Sequence, residues 1–125
     1  MKEKRILIVE DEMILAMELE MRLQSKGFAN IKCTSYGEEA VEFAVTFKPD
    51  VILMDIMLMG KINGIEAAQL IRQNNKIPII YITGNDHLKK DKQLLATKPA
   101  AILSKPCSDW ELLEALKTGS DHANL

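Results

Sequence analysis

Four short apolar runs divide the chain: Ile6–Val9, Val51–Met54, Ile79–Ile82 and Ala100–Leu103. Each is continuous rather than alternating, the pattern of a strand covered on both faces. A fifth, weaker strand is expected over Ile31–Thr34, where alternation suits an edge position. Helical spacing fills the gaps. Leu15, Leu19 and Leu23 share one face, and Gly27 supplies a C-terminal stop. Ala40, Ala44 and Phe47 mark a second helix that must close before Pro49. Gly64, Ala67, Ala68 and Ile71 mark a third, and Leu88–Leu95 a weakly amphipathic fourth. Ser108 and Glu111 form a capping box that opens a fifth, burying Leu113 and Leu116.

Strand and helix therefore alternate five times. Right-handed crossovers convert that alternation into an α/β fold, a five-stranded parallel sheet with helices on both faces. The expected strand order is 2-1-3-4-5. The 125 residues suffice for one domain, taken as 1–118, with a polar tail over 119–125. Sixteen Lys and Arg against 18 Asp and Glu give a net charge of -2, which offers no footprint for nucleic acid. Only four apolar residues separate the basic start from Glu10-Asp11-Glu12, too few for a secretory signal or a membrane span. Cys33 and Cys107 fit no paired-cysteine spacing and read as two buried thiols of a reducing compartment, so a cytoplasmic location is expected.

In an open α/β sheet, ligands bind beyond the carboxyl ends of the strands. The first run ends in Glu10 and Asp11, the third strand in Asp55, the fourth in Thr83, and the fifth leads through Ser104 to Lys105. Three carboxylates, a hydroxyl and an ammonium should converge on one edge. Carboxylates so placed repel one another unless a cation sits among them. Hard oxygen donors without His or Cys favour Mg²⁺ or Mn²⁺, which keep room for phosphate oxygens. Lys105 and Thr83 would stabilise the remaining oxygens of a transferring phosphoryl group. Asp55, at the end of the central strand, is the expected nucleophile and would become an aspartyl phosphate. An unpaired charge there would otherwise be costly in an apolar strand.

Val9-Glu10-Asp11-Glu12, Leu53-Met54-Asp55-Ile56, Ile82-Thr83-Gly84 and Ser104-Lys105-Pro106 resemble the four signatures of response-regulator receiver domains. The resemblance extends from about Lys4 to Lys117 and implies the flavodoxin-like receiver fold. It also implies a two-component phosphorelay role rather than an enzyme's, with catalysis limited to the protein's own phosphorylation and dephosphorylation. Asp55 would accept a phosphoryl group from a sensor histidine kinase or phosphotransfer protein. Asp11 would bind Mg²⁺ directly, Glu10 mainly through water, and the Met57 carbonyl would be a further ligand. Thr83 would bond the phosphoryl oxygen, and Lys105 would pair with Asp55 or its phosphate. The output face implied is the fourth helix, fifth strand and fifth helix, acting on a downstream target as a monomer or weak phospho-dependent dimer.

The sequence departs from that pattern in places. Glu10 replaces the commoner Asp, and Ile102 stands where an aromatic residue often couples to the threonine. The loop Leu58–Gly64 lacks the usual proline and is about one residue longer than the commonest form. A pseudo-receiver scaffold is one alternative. A metal-dependent phosphohydrolase is another, though Met57 stands where its acid/base aspartate would be. A flavin module would need a phosphate cradle where Glu10 and Asp11 stand. Gly60-Lys61 is no P-loop, and His87 and His122 lack ligand spacing. Met13, Met17 and Met21 read as core and helix-face packing, and Lys89, Lys90 and Lys92 as a solvated basic cluster on the fourth helix.

Overall fold

The computed structural model describes residues 3–123, with side chains as far as Gly119. Its elements run β1 (Arg5–Val9), α1 (Met13–Ser25), β2 (Asn30–Thr34), α2 (Gly37–Thr46), β3 (Val51–Met54), α3 (Gly64–Arg72), β4 (Ile79–Thr83), α4 (Lys92–Ala96), β5 (Ala101–Ser104) and α5 (Asp109–Ala123). The five strands are parallel, as the alternation predicts, and lie in the expected order β2-β1-β3-β4-β5.

The continuous apolar runs are explained by two cores, one on each side of the sheet. Leu7, Val9, Ile52, Met54 and Tyr81 face α2, α3 and α4. Their strand neighbours Ile6, Ile8, Leu53, Ile80 and Ile82 face α1 and α5. Successive strand side chains point to opposite faces, so no position in a doubly covered strand can be polar without a reason. The expected capping box at α5 forms, with Ser108 Oγ accepting from the Glu111 amide at 3.1 Å and Glu111 Oε1 accepting from the Ser108 amide at 2.9 Å.

Several expectations are corrected. Met13, Met17 and Met21 are exposed, at 72, 56 and 65%, rather than packed. Along the expected α1 face, Leu23 is fully buried, Leu19 partly, and Leu15 is 37% exposed, so contact with the core fades towards the strand ends. Cys33 is exposed on edge strand β2 and Cys107 is half-buried, neither a core thiol. The fourth helix is split. A 3₁₀ turn covers Asp86–Lys90, and Asp91 leaves helical geometry to cap α4, its Oδ1 accepting the Leu94 amide at 3.0 Å. Lys89 and Lys90 therefore precede α4, and only Lys92 lies on it.

At the other end, α5 continues past Thr118 to Ala123, through the start of the segment expected as a tail. Gly119 within it is buried, with Val51, Pro78 and Ile80 about it. Asn124 and Leu125, and the side chain of His122, lie outside the described residues. Among the described residues no helix is long and apolar enough to cross a membrane.

Candidate functional site

The site is assembled from strand ends that sheet pairing brings level. Val9 pairs with Met54, and the Asp55 amide donates to the Val9 carbonyl at 2.8 Å, so Glu10, Asp11 and Asp55 emerge side by side. Thr83 pairs with Ser104, and the Lys105 amide donates to the Thr83 carbonyl at 2.8 Å. Register alone carries residues that are far apart in sequence to one edge.

Glu10, Asp11 and Asp55 each offer a carboxylate oxygen within 4.8 Å of the others. Glu10 is 6% exposed and Asp55 7%, so two of the three charges are held nearly out of water. Lys105 Nζ lies 2.7 Å from Glu10 Oε1 and 3.1 Å from Asp55 Oδ2. The remaining oxygens are also engaged: Glu10 Oε2 accepts the Glu12 amide at 3.1 Å, and Asp55 Oδ1 its neighbour Ile56's at 2.8 Å. Burial disfavours the charged form of Lys105, but its hydrogen bonds to Glu10 and Asp55 outweigh this and raise its pKa. One ammonium against three carboxylates leaves excess negative charge. Accordingly the pKa of Asp11 is raised, first by desolvation and then by its contact with Glu10, while a hydrogen bond with Asp55 acts the other way. The donor set is all oxygen, clustered and short of positive charge, and it fits a hard divalent cation.

Thr83 is buried at the end of β4, where its Oγ1 accepts the Asn85 amide at 3.1 Å. Met57 lies exposed in the loop after Asp55. The peptide bond between Lys105 and Pro106 is cis. A cavity of about 410 Å³ adjoins the site, walled by Leu15, Leu19, Leu53 and Ile82 and reaching Asp55 and Lys105.

Two features of the site escape a reading of the motifs alone. Gly64 starts α3 against the Asp55 backbone, where a Cβ would stand 2.1 Å from the Asp55 carbonyl oxygen. Its amide donates to the Ile56 carbonyl at 2.7 Å. Before it, Asn63 and Glu66 form a capping box, each side chain accepting the other's amide at 2.9 Å. The Asn-x-x-Glu spacing is a legible signal for that cap. Nothing local marks the contact between Gly64 and Asp55.

The model of the response regulator receiver domain matches residues 6–117. The chain belongs to the response regulator receiver family. Such domains act in two-component signalling as phosphoacceptor switches, taking phosphoryl groups from histidine kinases or phosphotransfer proteins and binding Mg²⁺ at an acidic pocket. Solved receiver domains agree in fold. The signal receiver domain of a modulated diguanylate cyclase from Desulfovibrio desulfuricans G20 is 31% identical, with a TM-score of 0.88 over 96% of this chain and 95% of that one. A sensor histidine kinase receiver domain from Pseudomonas aeruginosa PAO1, with magnesium coordinated in its active-site cleft, is 29% identical, with a TM-score of 0.83 over 95% and 98%. The response regulator domain of Thermotoga maritima CheB is 29% identical, with a TM-score of 0.79 over 95% and 97%.

Proposed function

We propose that this receiver is a working phosphorylation switch, with Asp55 as phosphoacceptor. The observation that carries the reading is the clustering of Glu10, Asp11 and Asp55 within 4.8 Å of one another beside Lys105. Glu10, Asp11, Asp55 and the Met57 carbonyl would hold Mg²⁺. The bound ion would neutralise carboxylate repulsion and phosphoryl charge. An Asp55 carboxylate oxygen attacks phosphorus of a phosphohistidine, the P–N bond breaks, and the leaving imidazole nitrogen recovers a proton. Lys105 and Thr83 stabilise the phosphoryl oxygens that the cation leaves uncovered. The added charge changes the balance of contacts at the strand ends and shifts the population of the α4–β5–α5 face towards its signalling form.

Among the alternatives, the phosphohydrolase lacks its acid/base: the residue two past Asp55 is the exposed Met57. A pseudo-receiver would keep the fold without the chemistry, and Ile102 and Glu10 are the residues that favour it. Intact mass after incubation with Mg²⁺ and acetyl phosphate separates the two. A gain of one phosphate that is lost in Asp55→Asn and in EDTA supports the switch. A folded protein that binds Mg²⁺ and gains no phosphate would be the scaffold.

A further inference from the structure

The loop between Asp55 and α3 contains no proline, yet from Met59 to Ile62 it is bound to the turn between β2 and α2 and to the start of α2. Met59 donates its amide to the Ser35 carbonyl at 3.1 Å, and Tyr36 and Met59 form an isolated parallel bridge. Glu38, in the first turn of α2, accepts two successive loop amides on one oxygen: Lys61 at 2.9 Å and Ile62 at 3.0 Å. Gly60 makes this approach possible in two ways. Its φ of +90° is open to glycine at little cost, and a Cβ there would stand 2.5 Å from Glu38 Oε2. Gly37 is pressed just as closely on the loop, since its Cβ would lie 2.7 Å from Ile62 Cγ1.

We infer that Glu38 is a positioning residue for the cation site, doing with a carboxylate what a proline does by fixing φ. The inference rests on the Mg²⁺ reading given under the proposed function. Hydrogen bonds to a charged acceptor are about twice as strong as neutral ones, and two converge here on a single oxygen. Together they hold the loop that carries Met57 in one arrangement before any cation binds. Without Glu38 the Lys61 and Ile62 amides turn to water, and the loop is ordered only at the binding step, which weakens binding. The carboxylate touches no reacting atom; it acts through the loop backbone. The additional loop residue and Gly60 acquire a purpose in this account, because they bring two consecutive amides to Glu38.

The test uses the full chain, with Mg²⁺ titration calorimetry and amide hydrogen exchange at Lys61 and Ile62. Glu38→Ala should weaken Mg²⁺ binding by about tenfold and speed exchange at both amides by a similar factor. Glu38→Gln keeps an acceptor oxygen and should stay within roughly threefold of the parent in both. Gly60→Ala should reproduce the Glu38→Ala loss. Val41→Ala, a core substitution on the same helix, should lower stability and leave Mg²⁺ affinity unchanged. Unaltered Mg²⁺ affinity in folded Glu38→Ala overturns the inference. A Glu38→Gln variant that keeps slow exchange at both amides yet loses as much Mg²⁺ affinity as Glu38→Ala would also overturn it, assigning the effect to long-range charge. If the parent binds no Mg²⁺, the reading of the site as a metal centre fails instead, and the inference with it.

Discussion

The ammonium of Lys105 stands between Glu10 and Asp55, 2.7 Å from one carboxylate and 3.1 Å from the other. Glu10 is a methylene longer than the aspartate common at this position, and its carboxylate shares the lysine with Asp55. Under the proposed function Lys105 would compete with a cation for the same oxygens, yet be needed when phosphoryl charge develops. Lys105→Ala should therefore bind Mg²⁺ no more weakly than the parent in calorimetry. Its yield of phosphoprotein with acetyl phosphate should fall by roughly a hundredfold. A lost metal site would contradict this division of roles.

Asp11 supplies the pH dependence. Its folded pKa lies above the ordinary carboxylate value, so folding favours its protonated form. The stability it contributes to the metal-free protein is then full below the unfolded value, about 4. It is lost as pH rises through the raised folded value. Mg²⁺ binding needs the proton gone, so affinity should climb with pH over that same interval. Thermal melts with and without Mg²⁺ across the acid range will show both trends. Asp11→Asn should melt higher than the parent in EDTA and gain little from Mg²⁺.

Gly64→Ala sets a Cβ 2.1 Å from the Asp55 carbonyl oxygen, a backbone atom that cannot swing aside. Either α3 shifts or Asp55 does. The expected cost is about 3 kcal/mol by urea denaturation, with reduced phosphorylation of whatever remains folded. Parent-like stability would show that the loop yields more easily than its packing implies.

Between β4 and the end of α4, the buried Tyr81 hydroxyl and Thr97 Oγ1 are 2.7 Å apart. Thr97 caps the C-terminus of α4, and its carbonyl also accepts Arg72 Nε at 2.8 Å. Tyr81 on β4 pairs with Ile102 on β5, so an aromatic side chain stands one strand away from the position that Ile102 leaves without one. Tyr81→Phe should cost about 1 kcal/mol, because Thr97 keeps its bond to the Leu94 carbonyl. Thr97→Val should cost about 1–3 kcal/mol, since it leaves the Tyr81 hydroxyl buried without a partner. Equilibrium urea midpoints of both variants and their double will check the order.

The strands were legible because a sheet covered on both faces demands unbroken apolar runs, and Glu10, Asp55 and Thr83 stand out as polar residues at the ends of such runs. Parallel connections between those runs implied a doubly covered sheet, for which 2-1-3-4-5 is the usual order at this length, and with it the convergence of Glu10, Asp11, Asp55 and Lys105. Helix faces were less legible. Met13, Met17 and Met21 repeat every four residues like a buried stripe, but Ala16, Leu19 and Leu23 form the competing face that meets the sheet. Spacing alone does not choose between two apolar faces. The break before α4 was hidden for a related reason: Asp91 reads as one more polar residue until its side chain turns to cap Leu94.

By itself, then, the sequence determined the succession of elements, the parallel class of the sheet and the set of strand-end groups, all consequences of local periodicity and chain connectivity. Tertiary structure decided what depends on distance across the fold. Glu10 accepts a hydrogen bond from Lys105, 95 residues away, and Glu38 reaches amides 23 and 24 residues away. The Gly64 contact likewise exists only once β3 and α3 are packed. Contacts of this kind depend on ångström-scale placement of separate elements, which no local pattern of residue types encodes.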